Sequence, residues 1–484
     1  MQIDPKYSSA ALLAATLMAC AQTTRETAPE PPNHSRAAGT SSSAPDAAAV
    51  AAIDAAPAEP PLPPQLDADG DDDPVDVGQG AAPAHAHFAR VGKPPASLWR
   101  ICDLTPFEET TAGGRGNQRA LYAAHATAPL GLDGATVSRY AADGTFTIAF
   151  DWNRYGEPTT GGGAGQGFLR VHAIGGRLFV TDADPPYNGF GISEPGTEGF
   201  VYISDANGKF APARAPGHRP PLPPSDGGAG AGVLPRAYHV IDAIRFRGRY
   251  YASTGSVPPK ERAWAGPSPG ALHVANEDFS RWTYEVDYPF PWQSGVWRLG
   301  FMTRFKDRLY AGIQDYDGRE PNDFVYFDPP AGTASITHDD VHGVNVSGMR
   351  GTSTLRWYVD GAPGKARLFW VALHRDGSGV LRATRDGDHW TTLVLPAGAG
   401  RPTDITRFRD ALVVLTERGL YRLGDDDVVT KIGAIEGKKS PFEIKDTFCA
   451  APIAVFENAL YAGGQIDGAL YRLDADLQSD ERDP

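Results

Sequence analysis

At 484 residues the chain has room for two or three ordinary domains, or for one repetitive all-β domain of several hundred residues. Gly 55, Pro 42 and 10% aromatics argue against a helical bundle and for many short strands joined by turns. The net charge of −14, with no basic stripe, argues against a nucleic-acid partner.

The first segment is an address. Lys6 precedes an apolar run, Ala10 to Ala19, that ends at Cys20. The run is too short to span a bilayer as a helix and has the length of a signal-peptide core. Leu17-Met-Ala-Cys20 resembles the lipobox of bacterial lipoproteins. That resemblance implies a signal peptide over 1–20, a lipidated Cys20 as mature N-terminus, and a lipid anchor in the membrane of a Gram-negative cell envelope. Ala21 rather than aspartate follows the cysteine, which in the enterobacterial pattern implies the outer membrane, on its periplasmic face or at the cell surface. An ordinary signal peptide with an incidental cysteine is the alternative.

From Ala21 to Ala96 the chain is Ala, Pro, Ser, Thr and Asp with few large apolar residues. It carries 11 Asp or Glu against 4 Lys or Arg, a charge of −7. Such a segment cannot bury enough surface to offset the cost of ordering, so 21–96 is expected to be a disordered, extended linker. Asp67-Ala-Asp-Gly-Asp-Asp-Asp73 places Gly70 fourth, where an EF-hand calcium loop needs glycine sixth, and reads as solvated acid. His85-Ala-His87 in a linker has no frame to hold a metal.

The body, 97–484, is built from a repeated hairpin. In Trp297 to Phe305 apolar residues alternate with Arg298, Gly300, Met302 and Arg304, a period of two that fits a strand. Lys306-Asp307 turns, and Arg308 to Gly312 runs back. The return strand recurs around Leu121, Leu178, Tyr250, Leu309, Leu368, Leu412 and Leu460, at steps of 57, 72, 59, 59, 44 and 48. A third element such as Gly199 to Ser204 and a fourth, often aromatic, such as Asp278 to Trp282 follow. Four antiparallel strands per repeat are the signature of a β-propeller. Seven copies predict seven blades. Leu98 to Cys102 is expected to complete the last blade, and a Cys102–Cys449 disulfide to lock the ring; two buried free thiols are the alternative. Thr384-Arg-Asp-Gly-Asp-His-Trp390, and more loosely Ser204 to Phe210, resemble the Asp-box of sialidase-like propellers. The resemblance implies the fold and carries no function with it.

Hairpin turns within the repeats are tight on one face, whereas connections on the other are long around repeats two to four. Long loops on a rigid ring usually carry function. The candidate ligand-binding residues are Asp182, Asp184, Tyr187, Trp264, Asp315, Tyr316, Asp317 and Glu320, with Phe190, Arg262, Trp292 and Arg319 nearby. Aromatic faces stack on sugars and carboxylates bind hydroxyls or a hard cation, so a glycan, with or without calcium, is the expected ligand. Packing of these loops on one another is the alternative. His374 reads as an ordinary hydrogen-bonding surface histidine, and His338 with His342 lack the helix that metal binding at their spacing needs. Arg245, Arg304 and Arg407 read as repeat consensus rather than as an arginine cluster. No catalytic constellation stands out. The expected function is therefore a monomeric, non-catalytic ligand-binding or scaffold module. The alternatives are a glycoside hydrolase or lyase using carboxylates on the long-loop face, and a structural partner in an envelope protein complex.

Overall fold

The structure, a computed structural model, describes residues 77–475 except 95–97, 99, 111–116, 127–134, 152–166, 183–197, 212–223, 225–226, 257–266, 334, 363 and 436–438. The signal segment, Cys20 and the acidic run 67–73 lie outside these residues.

The architecture is a β-propeller. The chain enters through β1 (Ala86–Gly92). Blade 1 is β2 (Arg100–Thr110), β3 (Asn117–Ala126), β4 (Thr136–Ala141) and β5 (Phe146–Asp151), hydrogen-bonded in that order. Blade 2 is β6 (Phe168–Ile174), β7 (Arg177–Asp182), β8 (Glu198–Ile203) and β9 (Gly230–Pro235). Blade 3 holds β10 (Ala237–Phe246), β11 (Arg249–Ser256), β13 (Gly270–Ala275) and β14 (Trp282–Tyr288), while β12 (Pro267–Ser268) leaves it to join the next sheet. Blade 4 is β15 (Gly295–Phe305), β16 (Arg308–Asp315), β17 (Phe324–Phe327) and β18 (Val341–Val344). Blade 5 is β19 (Ser353–Asp360), β20 (Arg367–Leu373), β21 (Gly379–Thr384) and β22 (Trp390–Thr392).

The remaining strands correct the expectation of seven blades. They are β23 (Pro402–Phe408), β24 (Ala411–Thr416), β25 (Gly419–Leu423), β26 (Val429–Ala434), β27 (Ile453–Phe456), β28 (Ala459–Gly463) and β29 (Leu470–Ala475). With β1 they form one eight-stranded sheet in the order β23-β24-β25-β26-β1-β29-β28-β27, so the propeller has five separate blades and this nearly closed sheet. Strand β1 makes the difference. It runs antiparallel to β29 from Ala86↔Ala475 to Gly92↔Leu470, and bonds in parallel to β26 at Ala86↔Gly433 and His87↔Ala434. Repeat counting registers hairpins, whereas a sheet is defined by which edges pair.

The closing strand is also not the expected one. Leu98 to Cys102 leads into β2, the inner strand of blade 1, and closure comes from Ala86–Gly92, within the stretch read as linker. The chain just before β1 is bound too. Gln79 donates its N–H to Asn458 Oδ1 at 2.7 Å and Ala82 to Asp410 Oδ1 at 2.8 Å, across two hairpin turns.

Those turns explain why the repeats are legible. Gly175-Gly176, Arg247-Gly248, Lys306-Asp307 and Glu457-Asn458 all have positive φ at both positions, the tight two-residue geometry that matches strand twist. Apolar residues alternate above and below each sheet and fill the gaps between neighbours. Phe107, Tyr122, Phe150 and Phe168 pack between blades 1 and 2; Ile101, Leu104, Phe456 and Leu470 close the ring between the eight-stranded sheet and blade 1. The Asp386 turn of the Asp-box-like stretch accepts N–H bonds from Asp388 at 2.9 Å and His389 at 2.8 Å, and sends Trp390 against Phe324 and Trp370.

Candidate functional site

Among the described residues two places collect chemistry-bearing side chains: the axis, and the long-loop rim of blade 4. On the axis, most inner strands break register at the same height. The breaks fall between Ile101 and Asp103, Phe168 and Arg170, Val240 and Asp242, Thr354 and Arg356, and Pro402 and Asp404. In blade 4 a longer break, Leu299 to Met302, puts Phe301 at that level. The residue beyond each of those five breaks, together with Phe301 inside the blade 4 break, faces the same interior, so Asp103, Arg170, Asp242, Phe301, Arg356 and Asp404 form one ring.

The carboxylates clasp neighbouring strands. Asp103 accepts the Val171 N–H at 3.0 Å, Asp242 the Met302 N–H at 2.8 Å, and Asp404 the Ile453 N–H at 2.8 Å. Arg170 lies 3.3 Å from Asp103 and 3.4 Å from Asp242; Arg356 lies 3.6 Å from Asp404. Both guanidiniums sit 5.2 Å from the Phe301 ring. Burial pushes the Asp404 carboxyl up in spite of Arg356, and burial together with Arg170 pulls Arg356 down. Burial also acts against Arg170, but the Asp103 and Asp242 charges outweigh it and raise its pKa. Every member is buried or nearly so, and the carboxylates and both guanidiniums make hydrogen bonds, Arg356 through its Nη atoms to Leu355 O and Cys102 O, so this ring is a clasp that joins the sheets.

The long-loop mouth of the axis is filled. Cys102 and Cys449 form the expected disulfide, with Cα atoms 4.5 Å apart. With Ala126, Leu169, Ile241 and Phe301 they make an apolar layer on which Phe448 and Trp357 pack. Asp446 holds this segment by accepting the Phe448 N–H at 2.9 Å and lying 3.6 Å from Arg100.

At the rim, the loop after β16 is folded by its own acids. Asp315 is buried and accepts N–H bonds from Asp317 at 2.9 Å, from Arg319, and from Glu320 at 3.0 Å. Glu320, also buried, accepts the Tyr288 hydroxyl at 2.8 Å and both Asn322 donors, at 2.9 and 2.7 Å. Burial and the Glu320 charge push the Tyr288 phenol well up. Asp315 and Glu320 are therefore loop staples. Asp317 pairs with Arg319 at 2.5 Å in solvent, and Asp182 is buried at the end of β7. Asp184, Tyr187, Trp264, Phe190 and Arg262 lie outside the described residues.

What the fold turns outward here is aromatic. Tyr316 is 70% exposed, Phe290 59% and Trp292 41%. Their loops are bonded together: Tyr316 donates its N–H to Val296 O at 3.0 Å, and Arg319 reaches Ser294 O at 2.8 Å. The Arg298 guanidinium lies 5.4 Å from the Tyr316 ring and backs it. Trp292 Nε1 donates to Asp287 Oδ2 at 2.9 Å, while Asp287 Oδ1 lies 2.8 Å from His338 Nε2. Phe290 stacks on His338 with centroids 3.8 Å apart and planes 16° apart.

Sequence reasoning missed Asp287–His338–Phe290. The available signal was the long Tyr288-to-Val296 link, but Asp287 and His338 are 51 positions apart and meet only through packing. His342, in β18, packs at a tilt against Tyr326 instead, so the two histidines do not share a site. His374 takes part in a hydrogen bond with Thr352 Oγ1 at 3.1 Å. Arg407 pairs with Asp360 at 2.6 Å and Arg245 lies over Tyr250, each held locally as a repeat position.

No family model matches the chain, and no curated protein matches it in sequence. Solved structures resemble it in architecture. Virginiamycin B lyase from Staphylococcus aureus is 11% identical with a TM-score of 0.45, over 80% of this chain and 99% of that one. A GH93 alpha-L-arabinofuranosidase of Fusarium graminearum is 10% identical with a TM-score of 0.38, over 80% and 97%. A gluconolactonase from Xanthomonas campestris is 12% identical with a TM-score of 0.33, over 83% and 98%. At these identities and scores the likeness concerns the propeller architecture, and no chemistry follows from it.

Proposed function

We propose that this protein is a lipid-anchored envelope lipoprotein whose propeller binds a saccharide on the long-loop rim of blade 4 without transforming it. The supporting observation is the trio Phe290, Trp292 and Tyr316, exposed on adjoining loops while the neighbouring acids Asp315 and Glu320 are spent on loop hydrogen bonds. Exposed rings present apolar faces that stack on sugar C–H faces at little entropic cost. Acids consumed by backbone donors are poorly placed to act as the paired carboxylates of a glycoside hydrolase.

The test is retention of glycans by the full chain, with bound and released material read by mass spectrometry. Intact glycan is expected to be retained and to be lost in Trp292→Ala and Tyr316→Ala. Shortened or unsaturated products would overturn the non-catalytic reading. A catalytic reading would rest on the Asp287–His338 pair, whose hydrogen bond can orient the imidazole for proton transfer; loss of turnover in His338→Ala would support it. Cys20 is the anchor in this proposal. Cys20→Ser is expected to shift the protein from the membrane fraction to the soluble one, and unchanged fractionation would refute the anchor.

A further inference from the structure

The same rim says which class of saccharide it fits. Three exposed arginines, Arg319, Arg350 and Arg375, converge on the Asp315–Glu320 loop. Arg350 donates to Arg319 O at 3.2 Å and Arg375 to Asp317 O at 2.6 Å. Gly318 permits the second contact. Its φ is +64°, and a Cβ there would fall 2.0 Å from Arg375 Nη1, so the guanidinium lies directly on the backbone of the turn. Arg319 is neutralised by Asp317 at 2.5 Å. Among the described residues Arg350 and Arg375 meet no carboxylate. Asp376, beside Arg375, turns back on its own loop, where Oδ1 accepts the Ser378 N–H at 2.8 Å and its hydroxyl at 2.6 Å.

The result is a pair of exposed guanidiniums, each tethered through one nitrogen to a backbone carbonyl of the loop that carries the exposed Tyr316, in a chain of net charge −14. A tether fixes the position of each cation and leaves further N–H donors unused. A fixed guanidinium is suited to a planar carboxylate, which takes two parallel N–H bonds. An exposed ring on the same loop is suited to the sugar carrying that carboxylate.

Resting on the saccharide reading above, we propose that the ligand is an acidic glycan. A uronate residue stacks on Tyr316 and its carboxylate pairs with Arg350 and Arg375.

The test measures binding of the full chain to polygalacturonate, alginate and hyaluronate, to the methyl ester of each, and to polyglutamate as an anion without sugar. The free acid of at least one glycan is expected to bind about tenfold or more tightly than its ester. Arg350→Gln/Arg375→Gln is expected to bring the acid down to the level of the ester, and to flatten its salt dependence. Tyr316→Ala is expected to weaken acid and ester alike. Equal binding of acid and ester, with both lost in Tyr316→Ala, would overturn the acidic-glycan inference and leave the saccharide reading standing. Polyglutamate binding as well as the glycans would overturn both, and so would binding of none of the polymers. Thermal melts of each variant identify any loss that comes from misfolding.

Discussion

Removing the Asp242 carboxylate tests the axial clasp. Asp242 is fully buried; it accepts the Ala243 N–H at 2.9 Å and the Met302 N–H at 2.8 Å, and lies 3.4 Å from Arg170. In Asp242→Ala two N–H groups lose their acceptor in a site water does not reach, at about 1–3 kcal/mol each. Arg170 keeps Asp103 and so is not stranded outright. The sum is about 2–6 kcal/mol, which brackets the roughly 3–5 kcal/mol for breaking one side of a buried ion pair. Asp242→Asn retains one oxygen and should cost less, about 2 kcal/mol. Urea unfolding followed by fluorescence of the 9 tryptophans reads this directly. The Ala variant should unfold about 1 M earlier, with Asn between it and wild type. An Ala variant within about 0.2 M of wild type would refute the claim that the clasp joins the sheets.

Three further outcomes follow from the same structure. Burial holds the His125 pKa at about 3 and His273 at about 4, both below the usual 6.5. The unfolded chain therefore binds protons that the native one refuses, and stability is lost as pH falls from about 6.5 toward those values, with His125 alone costing about 2 kcal/mol at pH 5; His125→Gln should flatten that acid limb, and an unchanged pH profile would refute it. A chain starting at residue 77 should be soluble and monomeric, whereas one starting at 97 loses β1, bares the edges of β26 and β29, and should aggregate in size-exclusion chromatography. Monodisperse behaviour of the shorter chain would count against β1 as the closing strand. The disulfide closes a loop of sequence separation 347, so Cys102→Ala/Cys449→Ala should lower stability by about 5–6 kcal/mol. Both sulfurs are buried, so reductant alone should leave the native mass unchanged until denaturant is added.

Much of this architecture was legible in the chain because it is written locally. Alternation with a period of two fixed the strands, and turns such as Lys306-Asp307 and Arg247-Gly248 marked the hairpins. The Cys102–Cys449 pair could be named because only two cysteines remained once Cys20 was set aside. Aromatic residues in the link after Tyr288 and the loop after β16 could be flagged as long-loop residues.

What the sequence could not decide were relations between distant residues. Whether Asp315 and Glu320 face a ligand or their own backbone depends on the path of a loop closed by Tyr288 and Asn322. The meeting of Asp287 with His338, and of Arg375 with Gly318, depends on packing between separate elements. The number of sheets turned on β1, whose Ala86-His-Phe-Ala-Arg-Val-Gly92 looks like linker until β26 and β29 offer it edges. Local alternation and turn chemistry determined that this chain forms four-stranded antiparallel repeats. Only tertiary structure decided how the edges pair, which acids are buried and which rings stay exposed. Those outcomes depend on hydrogen-bond partners and solvent exclusion supplied by residues tens to hundreds of positions away.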